Sequence, residues 1–129
     1  MSFEAGKEIK SFEVVVDKYR PYYYAGASGD FNPIHLDDSF AKQVGLGGNI
    51  LHGLCTMAYV YRCVMGSSDP SKIKKIKVRF RQVVRPLDKL TVKGKVSSIE
   101  NNQASIELIA ENQKNEQVIT NGLAVVEIS

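Results

Sequence analysis

Alternating apolar and polar residues dominate the second half of the chain. After Pro70, apolar side chains occupy every second position of successive segments, which predicts β-strands. In the first segment, Ile76, Val78 and Phe80 alternate with the basic residues Lys75, Lys77, Arg79 and Arg81. Turn residues at 86–88, at Asn101 and Asn102, and around Asn115 separate the later strands, the last of which covers 117–128. A shorter alternation predicts one more strand at 11–16.

Three helical segments are predicted between the first strand and Pro70. The first is "KYRPYYYAGAS", with Asp17 as its expected N-cap, Pro21 in its first turn, and Gly26 and Gly29 ending it. A short second helix, capped by Asp37 or Asp38, is expected to run to Val44, where the glycines of "GLGG" stop it.

The third helical segment, 49–65, is long and apolar on nearly all sides. A helix of this kind is usually buried on most of its faces. Strands joined by short turns run antiparallel, and the concave face of such a sheet is the obvious place to bury the helix. The sequence therefore predicts an α+β architecture in which a curled antiparallel sheet wraps a long central helix. No repeat or linker divides the chain, so we interpret 1–129 as a single domain.

Composition and charge exclude several functional classes. The 129 residues are 43% hydrophobic and 24% charged with a net charge of +3, which does not indicate a nucleic-acid binder. No run approaches the roughly 18 apolar residues of a transmembrane helix, and the first ten residues lack a signal peptide's apolar core. Cys55 and Cys63, about 12 Å apart on one helix, cannot form a disulfide with each other. We therefore expect a cytoplasmic protein with reduced thiols and no metal site.

The stretch "GASGDFNPIHLDD", 26–38, concentrates the candidate chemistry. Asp30 and His35 are five residues apart, a spacing that does not place them on one helix face. The intervening Asn32-Pro33 turn can instead fold the chain so that the two side chains converge, and Pro33 restricts their drift. A carboxylate and an imidazole brought together in this way can hold a water molecule and move a proton near neutral pH.

The longer stretch "YAGASGDFNPIHLDDSFAKQVGLGGNILHG", 24–53, resembles the signature of the MaoC-like (R)-specific enoyl-CoA hydratases, or hydratase 2. "VRF" at 78–80 is similar to that family's strand after the helix. The resemblance implies the hot-dog fold, in which an antiparallel sheet wraps a long helix. Departures at Asn49, Val83 and Leu87, where the family usually has proline or glycine, put the acyl-chain preference in doubt.

The resemblance also implies site residues for hydrating an α,β-unsaturated thioester. Asp30 and His35 would hold the attacking water, and Asn32 would fix the turn or orient the pair. Gly53, in the first turn of the long helix, would offer its free backbone N–H to the oxyanion. His52 could serve as a second base, although we interpret it as forming a structural hydrogen bond.

The expected activity is interconversion of trans-2-enoyl and (3R)-hydroxyacyl thioesters, with no metal or organic cofactor. The partner would be an acyl-CoA or acyl-carrier-protein thioester, and the basic residues of 74–81 could attract its phosphate or simply form a solvated face. The resemblance implies a homodimer, or a heterodimer with a related hot-dog subunit. Alternatives are a hot-dog acyl-thioesterase, disfavoured because 54–65 contains no acid, and a non-catalytic acyl-thioester binding module.

Overall fold

The computed structural model describes residues 3–128. Its elements, in chain order, are β1 (Phe12–Val15), α1 (Arg20–Ser28), α2 (Pro33–Leu36), α3 (Asp38–Gln43), α4 (Gly53–Met65), a 3-10 turn (Pro70–Lys72), β2 (Ile73–Phe80), β3 (Lys89–Glu100), β4 (Gln103–Glu111) and β5 (Gln117–Glu127). Within residues 3–128, no helix is long and apolar enough to cross a membrane.

The strands form one antiparallel sheet in the order β1-β3-β4-β5-β2. The hairpins β3–β4 and β4–β5 agree with the predicted turns, and Asn101, Asn102 and Asn115 adopt the positive φ values that such turns need. The prediction that short turns join all the later strands is wrong at 86–88, because β2 pairs with β5 and not with β3. The connection 81–88 is too long for a hairpin turn, and Leu51 donates a backbone hydrogen bond to Val84 within it. This connection takes the chain back across the start of α4, so β2 and β3 are not neighbours.

One face of α4 packs on the sheet, in the predicted α+β arrangement. Its buried residues recur at helical spacing, and five of them belong to the same core as the inward side chains of the strands: Cys55, Tyr59, Val60, Cys63 and Val64. Both cysteines are free and buried, as expected. The prediction that most faces of this helix are buried is wrong, because Leu54 is 66% exposed and Met65 40% exposed on the side that the sheet does not cover.

Helix boundaries differ from the sequence prediction at three points. Tyr19, not Asp17, is the N-cap of α1, because the Asp17 carboxylate accepts the Tyr19 N–H in a turn before the helix. Gly26 lies inside α1, and only Gly29, in the left-handed conformation with φ 79°, ends it. The helix predicted from residue 49 begins at Gly53, since 49–52 is not helical and its backbone bonds instead to Ile34 and Val84. For α3 the cap is Asp37, one of the two residues expected.

Candidate functional site

The loop between α1 and α2 brings the predicted acid and base together. Gly29 reverses the chain after α1, and the Asp30 N–H then bonds the Ser28 hydroxyl. Asn32 caps α2, because its side-chain oxygen accepts the Ile34 N–H at 3.1 Å. Its backbone N–H donates to the Asp30 carboxylate at 3.2 Å, so Asn32 links the turn to the acid. The role of Asn32 in orienting the pair stays a prediction.

The side chains of Asp30 and His35 converge. Asp30 Oδ2 lies 3.8 Å from His35 Nε2, a separation too long for a direct hydrogen bond and short enough for both atoms to contact one water molecule. The His35 side chain is 9% exposed, whereas that of Asp30 is 53% exposed. The pair therefore presents a solvated carboxylate beside a largely buried imidazole.

The tautomer of His35 follows from its other ring nitrogen. His35 Nδ1 lies 2.8 Å from the carbonyl oxygen of Ile50. A carbonyl oxygen can only accept, so Nδ1 carries the proton and Nε2 holds a lone pair in the neutral ring. That lone pair is on the nitrogen nearest Asp30, where a general base that deprotonates a shared water would need it.

His52 lies against this pair. Its Nε2–H donates to the Asp30 backbone carbonyl at 2.9 Å, which agrees with the structural hydrogen bond expected from the sequence. Its ring also stacks on His35, with centroids 3.8 Å apart and 22° between planes, and Tyr24 packs on it at 4.8 Å. His52 is 2% exposed, so this contact is part of the core beneath the site.

Gly53 follows His52 directly as the first residue of α4. An amide at this position has no partner within the helix, and the helix dipole favours negative charge there. A methyl group at Gly53 would lie 3.4 Å from the Phe80 ring, so the space in front of this backbone is narrow.

A cleft of about 270 Å³ begins at Gly53. It is lined by the segments flanking α4 and the end of β2: Ile50, Leu51, Gly53, Thr56, Phe80, Arg81, Gln82, Val83 and Val84. Asp30 and His35 are not among its lining residues. The cleft is therefore the space next to the candidate oxyanion amide. His52, which stacks on His35, directly precedes Gly53 in the chain.

Tyr24 lies near both the Asp30 carboxylate and the Cys55 thiol. Burial, the nearby Cys55 and the Asp30 carboxylate all raise the pKa of Tyr24. Burial also raises the pKa of Cys55. Both groups therefore stay protonated at neutral pH, so Cys55 does not supply a thiolate nucleophile to the site.

Asp30, His35 and His52 form the one side-chain group in residues 3–128 whose donor atoms could hold a metal ion, all within 4.8 Å of one another. One of these donor atoms is already occupied, because His52 Nε2 bonds the Asp30 carbonyl. The expectation that the protein needs no metal stays a prediction.

Sequence reasoning missed two residues that support the site. The Asn49 side chain donates to the His35 carbonyl at 3.0 Å, and Arg85 donates to the carbonyls of Leu46 and Gly48. Together they fix the segment whose Ile50 carbonyl orients His35. No local sequence pattern predicts these bonds, since Arg85 is 37 residues from Gly48.

Among the basic residues of 74–81, Arg81 lines the cleft at Gly53, whereas those within β2 do not. Lys75, Lys77 and Arg79 are exposed on the outer side of the sheet, and Lys77 and Arg79 line a groove of about 790 Å³ that also contains Glu107. Lys74 pairs with Glu127 at 3.2 Å. The arrangement fits a solvated face, and attraction of a phosphate stays a prediction.

Comparisons with known proteins identify the family of the chain and its fold. The family model described as MaoC-like domain matches residues 3–118. A fatty acid synthase beta subunit from Emericella nidulans is 32% identical over 107 residues, which are 81% of this chain and 6% of that protein. A probable enoyl-CoA hydratase 2 from Dictyostelium discoideum is 35% identical over 108 residues, 81% of this chain and 35% of the relative. The chain thus spans about a third or less of the length of these relatives.

A solved structure described as an (R)-hydratase from A. caviae involved in PHA biosynthesis superposes with a TM-score of 0.85. Its sequence is 24% identical, and the match covers 99% of this chain and 98% of that one. The likeness confirms the α+β hot-dog fold that the sequence predicts.

Proposed function

Because the chain belongs to the family of MaoC-like domains, we propose that it is a hydro-lyase acting on acyl thioesters. It would add water to trans-2-enoyl thioesters or remove water from (3R)-hydroxyacyl thioesters. The observation that carries the proposal is the convergence of Asp30 and His35 at 3.8 Å, with the His35 lone pair on the nitrogen facing the acid. The name of the Dictyostelium relative, a probable enoyl-CoA hydratase 2, supports the same reaction.

In this mechanism one water molecule bridges the Asp30 carboxylate and His35 Nε2. Nε2 accepts a proton as the water oxygen bonds to C3, and negative charge develops on the thioester oxygen. The Gly53 N–H donates to that oxygen. The proton then passes to C2 from the same acid–base site, so that OH and H add to one face and the charge on the thioester collapses. Asn32 holds Asp30 in the turn, and no cofactor takes part.

The direct test follows the loss of the conjugated double bond of a short trans-2-enoyl-CoA by absorbance, together with release of free thiol. Loss of the double bond without thiol release is expected. Asp30→Asn and His35→Ala should each lower kcat by roughly 10²–10⁴-fold, because each removes a group that handles the proton. Asp69→Asn, a carboxylate that caps the 3-10 turn, is the matched control and should keep wild-type activity.

Other results would identify the alternatives. Thiol release would indicate an acyl-thioesterase. Binding of an acyl thioester without turnover, with both coenzyme A and carrier-protein substrates, would indicate a binding module. Full activity in Asp30→Asn would contradict the proposed acid–base pair itself.

We further propose that the chain pairs with a second hot-dog unit through β2, as a homodimer or with a related subunit. β2 is an edge strand whose outer backbone groups have no strand partner within residues 3–128, and such edges favour pairing. The exposed apolar residues Phe80, in β2, and Val83 line the cleft at this end of the edge, at 50% and 41% exposure. A lone-chain mass near twice 14.3 kDa would support the homodimer, whereas a monomer would favour the heterodimer.

The cytoplasmic location and the interpretation of 1–129 as a single hot-dog domain stay predictions.

A further inference from the structure

His52 touches each part of the proposed catalytic machinery. Its Nε2–H bonds the Asp30 carbonyl, its ring face lies on His35, and its own backbone leads directly into Gly53. It is the N-cap residue of α4, but its side chain accepts no hydrogen bond from the backbone N–H groups of the first turn, as an N-cap side chain usually does.

The second nitrogen of this ring suggests that packing alone does not explain the histidine. His52 Nδ1 is buried and has no hydrogen-bond partner in the described chain. A buried polar atom without a partner is unfavourable, and a phenyl ring would fill similar space without that cost. The feature that a phenyl ring lacks, and that this ring uses, is the Nε2–H donated to the Asp30 carbonyl.

That hydrogen bond acts on the position of the acid. Asp30 follows a left-handed glycine and precedes the Asn32 cap, so its backbone lies in an irregular loop. The Asp30 side chain is half exposed and is held near His35 by no direct bond. A bond from the buried His52 to the Asp30 carbonyl anchors this loop to the start of α4, while the stacked ring fixes the plane of His35.

We propose that His52 is a positioning residue for the hydration reaction, which sets the distance between the Asp30 carboxylate and His35 Nε2 through its Nε2–H. This inference rests on the proposed function, because it assigns His52 to the same acid–base pair. His52 itself does not contact the substrate and transfers no proton.

Two substitutions separate the donor from the ring. His52→Phe keeps a flat ring on His35 but removes the N–H, and should lower kcat by about 10–100-fold with KM within about threefold, as expected for a displaced catalytic group. His52→Gln loses the ring but places an amide N–H at a similar reach, and should keep kcat within about fivefold of wild type. Chemical denaturation of each variant identifies conditions in which all are fully folded.

A double-mutant cycle with Asp30→Asn tests whether His52 acts through the acid. Asp30→Asn/His52→Phe should have the kcat of Asp30→Asn within about twofold, because a displaced group that is already inactive costs little more. A full His52→Phe effect in the Asp30→Asn background, or a wild-type kcat in His52→Phe, would overturn the inference. Wild-type activity in Asp30→Asn alone would instead overturn the proposed function.

Discussion

The Nδ1 nitrogen of His35 lies 2.8 Å from the carbonyl oxygen of Ile50, and this contact determines how the site can work. It fixes the proton on Nδ1 and leaves the Nε2 lone pair beside Asp30. It also joins α2 to the extended segment before α4. The same bond thus contributes to the orientation of the base and to the packing of the loop.

These two contributions can be separated at His35. His35→Asn keeps an amide N–H near the Nδ1 position but has no base. Its free energy of unfolding should lie within about 1 kcal/mol of the wild-type value, while kcat falls by roughly 10²–10⁴-fold. His35→Ala should be equally inactive and less stable by a further 1–3 kcal/mol or so, because the Ile50 carbonyl loses its partner. Urea unfolding and enoyl-CoA hydration measure the two quantities. Substantial hydration by His35→Asn would contradict the assignment of His35 as the base.

The Gly53 amide gives a second prediction. Gly53→Ala adds a methyl group 3.4 Å from the Phe80 ring. We expect this group to hinder the approach of a thioester oxygen to the adjacent N–H. We expect kcat to fall at least tenfold. The loss should not exceed the roughly 3 kcal/mol by which one oxyanion donor stabilises the transition state. Stability should not fall, since alanine is the better helix former.

Gly26→Ala is the matched control for this change. A methyl group there meets nothing within 4 Å, and Gly26 lies inside α1. It should leave enoyl-CoA hydration unchanged. Equal kcat for Gly53→Ala and Gly26→Ala would remove Gly53 from the oxyanion site.

Much of the fold could be predicted because local patterns encode it. The alternation from Ile76 to Arg81 and the asparagine turns specify strands and hairpins directly. The place of β2 could not be predicted in this way, because it depends on the Leu51–Val84 bond and the path of 81–88. The exposed side of α4 was missed for a related reason, since an apolar helix does not indicate which of its faces one sheet can cover.

The contacts of the candidate site likewise include some that local sequence predicts and some that it does not. Asp30, Asn32 and His35 are close in sequence, and the Asn32-Pro33 turn was the local reason to expect the side chains of Asp30 and His35 to converge, as they do at 3.8 Å. The bonds from His52 to Asp30 and from Asn49 to His35 join segments 22 and 14 residues apart. Such bonds form only when distant segments pack together, so the local periodicity of the sequence does not predict them.

Leu87 provides a prediction about stability. It adopts φ 74° with a side chain 66% exposed, and a left-handed conformation costs a residue with a Cβ about 1–2 kcal/mol. Leu87→Gly should therefore raise the free energy of unfolding by about 0.5–1 kcal/mol after the extra chain entropy of glycine. Leu87→Ala keeps the backbone strain and should change the free energy of unfolding little. Urea unfolding decides, and a less stable glycine variant would mean that the leucine side chain makes a stabilising contact.

The buried thiol of Cys63 predicts how stability depends on alkaline pH. Burial raises its pKa from 9.0 to about 11, and its Sγ lies 3.7 Å from the Val92 carbonyl oxygen, which favours the protonated form. Below pH 9 the thiol is protonated in both states, so its contribution is fully present. Above pH 9 the unfolded chain ionises first, and the free energy of unfolding should fall by roughly 2–3 kcal/mol by pH 11. Cys63→Ala should be less stable than wild type at pH 8, because the substitution leaves a cavity. Its free energy of unfolding does not contain the thiol's pH dependence, so the difference from wild type should shrink between pH 9 and pH 11. A constant stability difference over that range would contradict the raised pKa.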